Sequence, residues 1–103
     1  MSIITEIVTF KSSGEIPKED FISIVDELEK RFHSQQPGFI DTELLFDENV
    51  EEWIILQHWD SRENQKSASA KIFKSEAAER FISAVIPASV KMRILPQIMV
   101  WER

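Results

Sequence analysis

The stretch LQHWDSRENQKSA, residues 56–68, is where the chain changes character. Up to Trp59 the side chains are largely apolar, as in a strand; from Asp60 onward they are polar and suit a helix. Asp60 or Ser61 can cap the new helix, and Asp60 with Glu63 has capping-box spacing. Most of His58-Trp59-Asp60-Ser61 therefore reads as a strand meeting a helix, not as a catalytic cluster.

Upstream, EEWIILQHW (51–59) is a strand. Asp47-Glu48-Asn49 makes a turn, so the preceding GFIDTELLF (38–46) is its antiparallel neighbour. Pro37-Gly38 stops a helix over PKEDFISIVDELEKRFHSQQ (17–36), whose Phe21, Val25, Leu28 and Phe32 form one apolar stripe. Pro17 suits its first position, and the charges of Glu19, Asp20, Lys30 and Arg31 complement its dipole. IITEIVTFK (3–11), rich in β-branched residues, is the first strand. Downstream, the helix after Trp59 breaks near Lys74-Ser75, Ser75 caps EAAERFISAV (76–85), and a last strand runs from Met92 to Trp101. The order is βαββαβ. In its ferredoxin-like α+β version the antiparallel sheet runs 4-1-3-2 with both helices on one face. Pro96 suits an edge strand.

With 103 residues and 43% apolar content, the chain is expected to form one domain over residues 1–103. The absence of cysteine excludes disulfides and thiolate chemistry and suits a reducing cytoplasm. Neither a secretion signal nor a membrane span is visible. A net charge of −6 with scattered Lys and Arg argues against nucleic-acid and membrane partners. The two histidines form no HxH or HxxxH pair, so no metal site is expected.

Alternation along the strands defines two faces. One set contains Ile4, Glu6, Val8 and Phe10 with Ile54, Leu56, His58 and Ile94, and is mostly aliphatic. It is assigned to the surface beneath the helices. The other set, with Trp53, Trp59, Met99 and Trp101, has the mixture seen at protein–protein interfaces. One bulge would swap the parity of a strand.

The helix ending in Gln36-Pro37-Gly38-Phe39, the hairpin, Trp59-Asp60-Ser61, then SAKIFKSEAAERF (69–81) and SVKMR (89–93) resemble the antibiotic-biosynthesis-monooxygenase family. The resemblance runs from Ile3 to Trp101. It implies a homodimer whose two sheets face each other as a dimeric α/β barrel, and oxygenation of aromatic substrates without metal or flavin. The haem-degrading branch carries Asn, Trp and His where this chain has Ile7, Ala68 and Ala78, so haem degradation is not expected. Tyrosines used by polyketide-type members are absent.

Among individual residues, Trp59 reads first as a strand-end core group and second as a ligand contact. His58 reads first as a satisfied core histidine and second as a proton acceptor. Glu6 and His58 are the only ionisable groups of the aliphatic set. They are therefore expected to share a face beneath the helices as a carboxylate-oriented base. His33 reads as a solvated residue at a helix C-terminus. The small residues Ala68, Ala70, Ala77 and Ala78 either pack closely or leave a void bordered by Phe73 and Phe81. The candidate ligand contacts are thus Trp59, Asn64, Ala68, Phe73 and Phe81; the candidate catalytic groups are His58 and Glu6. The functional expectation is a small-molecule-binding protein for a hydrophobic or aromatic ligand, acting as a cofactor-independent monooxygenase. The alternative is a non-catalytic binding or scaffold domain with a filled interior.

Overall fold

Residues 4–10 form strand β1, Lys18–Arg31 helix α1, Phe39–Asp47 β2 and Glu52–Trp59 β3. Arg62–Lys71 is α2, Glu76–Ala84 is α3 and Lys91–Pro96 is β4, with single 3-10 turns after α1, α2 and α3. The structure is a computed structural model and describes residues 2–103. The four strands form one antiparallel sheet in the order β2-β3-β1-β4. This is the expected ferredoxin-like arrangement, with β2 and β4 at the edges.

Local signals explain most boundaries. Ser61 caps α2 by accepting from the Asn64 amide at 3.2 Å, and Ser75 caps α3 by accepting from Ala78 at 3.5 Å. The capping-box pair does not form; Asp60 Oδ1 instead accepts from Asn64 Nδ2 at 2.8 Å. Pro17 is the N-cap of α1, so the helix starts one residue later than expected, and the Pro17 carbonyl accepts the first helical bond from Phe21. The last strand also differs. It stops at Pro96, five residues short of Trp101, because proline offers no N–H to extend the ladder; one further bond joins the Gln97 amide to the Ile3 carbonyl.

Register decides which side chains lie beneath the helices. Ile4, Glu6, Val8 and Phe10 of β1 oppose Trp59, Gln57, Ile55 and Trp53 of β3, so these eight share a face. That face is the helix-covered one: Phe10, Trp53, Ile55, Gln57 and Trp59 are all buried. The assignment of β3 from sequence was therefore inverted, and Ile54, Leu56 and His58 lie on the uncovered face. Both parities of WIIL are apolar, so composition alone does not choose between them. Thr42, Leu44 and Phe46 of β2 oppose Gln57, Ile55 and Trp53 and so share the covered face, while a bulge at Ile40 puts Phe39 opposite Trp59.

The core has two lobes. Phe10, Phe21, Val25, Trp53 and Ile55 fill one; Ile4, Leu28, Phe32, Trp59 and three alanines, Ala68, Ala77 and Ala78, fill the other. Phe21 and Trp53 sit 4.9 Å apart between ring centroids, and the Trp53 indole N–H donates to Ser12 Oγ at 3.0 Å. Trp53 is thus a core residue with its polar atom satisfied, not an interface residue.

Gly38 ties the two halves together. Its φ of +81° favours glycine, and a Cβ there would collide with Asp60 Oδ1 and lie 2.5 Å from Asn64 Nδ2. The Asp60 amide donates to the Gly38 carbonyl at 2.8 Å. The end of α1 and the start of α2 are therefore clamped side by side at one end of the sheet.

Candidate functional site

Small residues on α2 hold the helix close to the sheet but do not fill the space beneath it. A cavity of about 530 Å³ remains between the helix-covered face and α2, α3 and the turn after each. Sites for small ligands commonly occupy ~300–1,000 Å³. The apolar wall includes Val8, Leu28, Ile55, Ala68, Phe81 and Ile94. Phe73, largely exposed, stands at its margin.

Two polar clusters interrupt this wall. In the first, Glu6 is buried and its Oε1 accepts from Gln65 Nε2 at 2.6 Å. Gln65 Nε2 also lies 3.0 Å from Ser69 Oγ, and Gln65 Oε1 accepts from Arg62 Nη1. The amide links a buried carboxylate to a guanidinium at the surface, which offsets part of the lost hydration of Glu6.

The second cluster centres on Glu29 of α1. Its Oε2 lies 2.5 Å from His33 Nδ1, and its Oε1 accepts from Gln57 Nε2 at 2.9 Å and from Thr42 Oγ1. A carboxylate only accepts, so the Gln57 group facing it must be the NH₂. The Gln57 carbonyl Oε1 is then left buried without a partner, as is the Trp59 indole N–H. Buried polar atoms are nearly always paired, and these two, each closed off from open space, are exceptions.

The sequence-based candidates fare unequally. Trp59, Ala68, Phe73, Phe81 and Glu6 line the cavity. Asn64 does not; it is held by Asp60 and braces the turn at Gly38. His58 does not either. It opposes Thr5 on the uncovered face and pairs with Asp41 Oδ1 at 2.6 Å. The expected Glu6–His58 contact does not form, because the two side chains project from opposite faces of the sheet. His33, read as solvated, is buried where the chain leaves α1 through a 3-10 turn. It packs against Phe32 and Trp59, with ring centroids 5.0 and 6.1 Å away. The signal for it was present: Glu29 and His33 are spaced i,i+4 beside the apolar stripe. Gln57 and Gln65 gave no comparable signal, since buried amides cannot be told from surface ones by residue type.

Among the described residues no group of three or more His, Asp or Glu could hold a metal ion. Among the described residues no helix is long and apolar enough to cross a membrane.

A four-stranded antiparallel sheet covered on one face, with a cavity beneath α2 and α3, defines a ferredoxin-like α+β protein. Residues 17–78 match the model of the family described as antibiotic biosynthesis monooxygenase, and the chain belongs to that family. Several solved structures share the fold. SnoaB, a cofactor-independent oxygenase from Streptomyces nogalater, is 15% identical with a TM-score of 0.79 over 100% of both chains. A putative antibiotic biosynthesis monooxygenase from Bordetella bronchiseptica is 12% identical, with a TM-score of 0.79 over 96% of this chain and 100% of that one. The ActVA-Orf6 monooxygenase of Streptomyces coelicolor, in complex with nanaomycin D, is 13% identical, with a TM-score of 0.77 over 99% and 93%. No curated protein sequence matches significantly.

Proposed function

We propose that the cavity binds a fused-ring aromatic or comparably hydrophobic molecule carrying a hydroxyl and a carbonyl, and that the protein is a cofactor-independent monooxygenase for it. The carrying observation is a cavity of about 530 Å³ whose apolar wall is broken by the Glu6–Gln65 and Glu29–His33 clusters. Ligand rings would replace water against Val8, Ile55 and Phe81, and polar substituents would be met by the side chains of the two clusters. An electron-rich ligand of this kind can reduce O₂ itself, so the protein need supply only a dry site and proton transfer. An interior filled by its own side chains, the alternative expected from sequence, is disfavoured by the open volume.

A homodimer belongs to the same reading. The uncovered face presents Ile7, Ile54, Leu56 and Leu95, and beyond β4 the exposed Ile98, Met99 and Trp101 extend the apolar surface. A second copy laid face to face would cover it. Trp53 and Trp59 no longer support this, since both are committed to the core. The cysteine-free composition suits a cytoplasmic location.

The test uses 1,8-dihydroxy-9-anthrone, a tricyclic phenolic ketone whose methylene is oxidised by O₂ to a carbonyl with release of water. Metal-free, flavin-free protein should quench its own tryptophan fluorescence on binding the probe and consume one O₂ per quinone formed. Absence of binding would sink the reading; binding without O₂ uptake would leave a ligand-binding module.

A further inference from the structure

We propose that His33, oriented by Glu29, is the base that takes a proton from an acidic hydroxyl or enol of the cavity's ligand. The inference rests on the ligand reading above and assigns the chemistry to a residue that sequence patterning passes over.

Three observations converge on it. First, His33 is a buried histidine that lines the cavity. Second, its Nδ1 faces Glu29 Oε2 at 2.5 Å. A carboxylate cannot donate, so Nδ1 carries the hydrogen, and Nε2 is the nitrogen that holds the lone pair in the neutral ring. Among the described residues no hydrogen bond engages Nε2. Third, Glu29 is itself held: Gln57 and Thr42 both donate to its Oε1, which fixes the carboxylate's orientation and leaves Oε2 for the histidine. The ring is further wedged between Phe32, Phe39 and Trp59, with centroids 5.0, 6.3 and 6.1 Å away. A positioned, carboxylate-backed imidazole is the arrangement that makes histidine effective in proton abstraction.

The other two carboxylate or histidine candidates serve less well. Glu6 Oε1 is already engaged by Gln65, and a carboxylate is intrinsically a weaker base than an imidazole. His58 lies on the other side of the sheet.

The step balances without a redox partner. The ligand's O–H bond breaks, the proton moves to His33 Nε2, and the electron pair stays on the ligand as a phenolate or enolate. The imidazolium is compensated by Glu29. Glu29 acts through His33 and is a positioning residue.

Ionisation can be read apart from oxidation by adding 1,8-dihydroxy-9-anthrone under strict anaerobiosis at neutral pH. Binding is followed by tryptophan quenching, and the ionisation state by the visible absorption of the bound probe. Wild-type protein should bind the probe as its anion. His33→Gln keeps the size and a hydrogen bond to Glu29; it should bind the neutral form with similar affinity, and in air its turnover should fall by ~10²-fold or more. Glu29→Gln should do the same, because its amide would donate to Nδ1 and move the ring hydrogen to Nε2. Raising the pH above the free probe's own ionisation should restore the anion in both variants, which a merely structural role for the pair would not allow. If wild-type protein binds the probe only in its neutral form, or His33→Gln still binds the anion at neutral pH, the inference is overturned while the ligand reading stands. If wild-type protein does not bind the probe at all, both fall.

Discussion

At the scale of single residues, two buried tryptophans on the same strand have opposite fates. Trp53 donates to Ser12, whereas Trp59 has no partner for its N–H. Trp59→Phe removes that unsatisfied donor while keeping most of the ring, so thermal stability should change little. Affinity for the tricyclic probe should hold within about twofold in calorimetric titration, because the N–H is closed off from the cavity. A loss of about tenfold would mean that the N–H turns toward the ligand on binding. Gly38 gives a prediction of the other kind. Gly38→Ala meets both a left-handed φ and the Asp60–Asn64 pair, and should cost ~1–3 kcal/mol in urea unfolding. Gly14→Ala is the control: nothing lies within 4 Å of its added methyl, and its effect should be within ~0.5 kcal/mol.

At the scale of elements, α2 and α3 form a broken helical layer whose pieces are separately capped, so each can be perturbed alone. Ser75→Ala removes the α3 cap and should cost ~1 kcal/mol by thermal or denaturant melting, leaving the cavity wall from α2 in place. Ala68 sits on α2, buried and directed at the open space. In a packed interior, Ala68→Leu would be expected to cost ~1–3 kcal/mol by overpacking. Here the added carbons enter the cavity, so the melting temperature should hold while probe binding is lost. A strongly destabilised Ala68→Leu variant would show that the volume is not available to a side chain, and by extension not to a ligand.

At the scale of the whole molecule, the sheet has one face under helices and one without cover. A second copy over that face should give about twice the 12.0 kDa of the chain by light scattering at micromolar concentration. Leu56→Glu puts a charge on the uncovered face and should shift the species to a monomer that retains native circular dichroism and probe binding. Trp53→Glu puts a charge in the core and should unfold the chain instead, since a buried unpaired charge costs several kcal/mol (order of magnitude). A monomeric wild-type protein would refute the dimer.

The sequence by itself determined the order of elements, the cap at Ser75 and, as one of two neighbours, the cap at Ser61. Those depend on local physics: β-branched runs, the Phe21–Phe32 stripe, Pro37-Gly38, Ser61 and Ser75 act over a few residues. Only the tertiary structure decided the facing of β3 and with it the site. Trp53-Ile54-Ile55-Leu56 is apolar on both sides, so burial energy nearly balances between the two registers. The choice falls to distant partners: Phe46 and Phe10 opposite Trp53, and Glu29 on α1 accepting from Gln57. That single alternation put His58 outside and Gln57 and Trp59 inside. His33 was missed for a related reason. A residue on the flank of a helix is solvated or buried according to what packs beside it, and here Phe32, Phe39 and Trp59, brought together from three separate elements, enclose it.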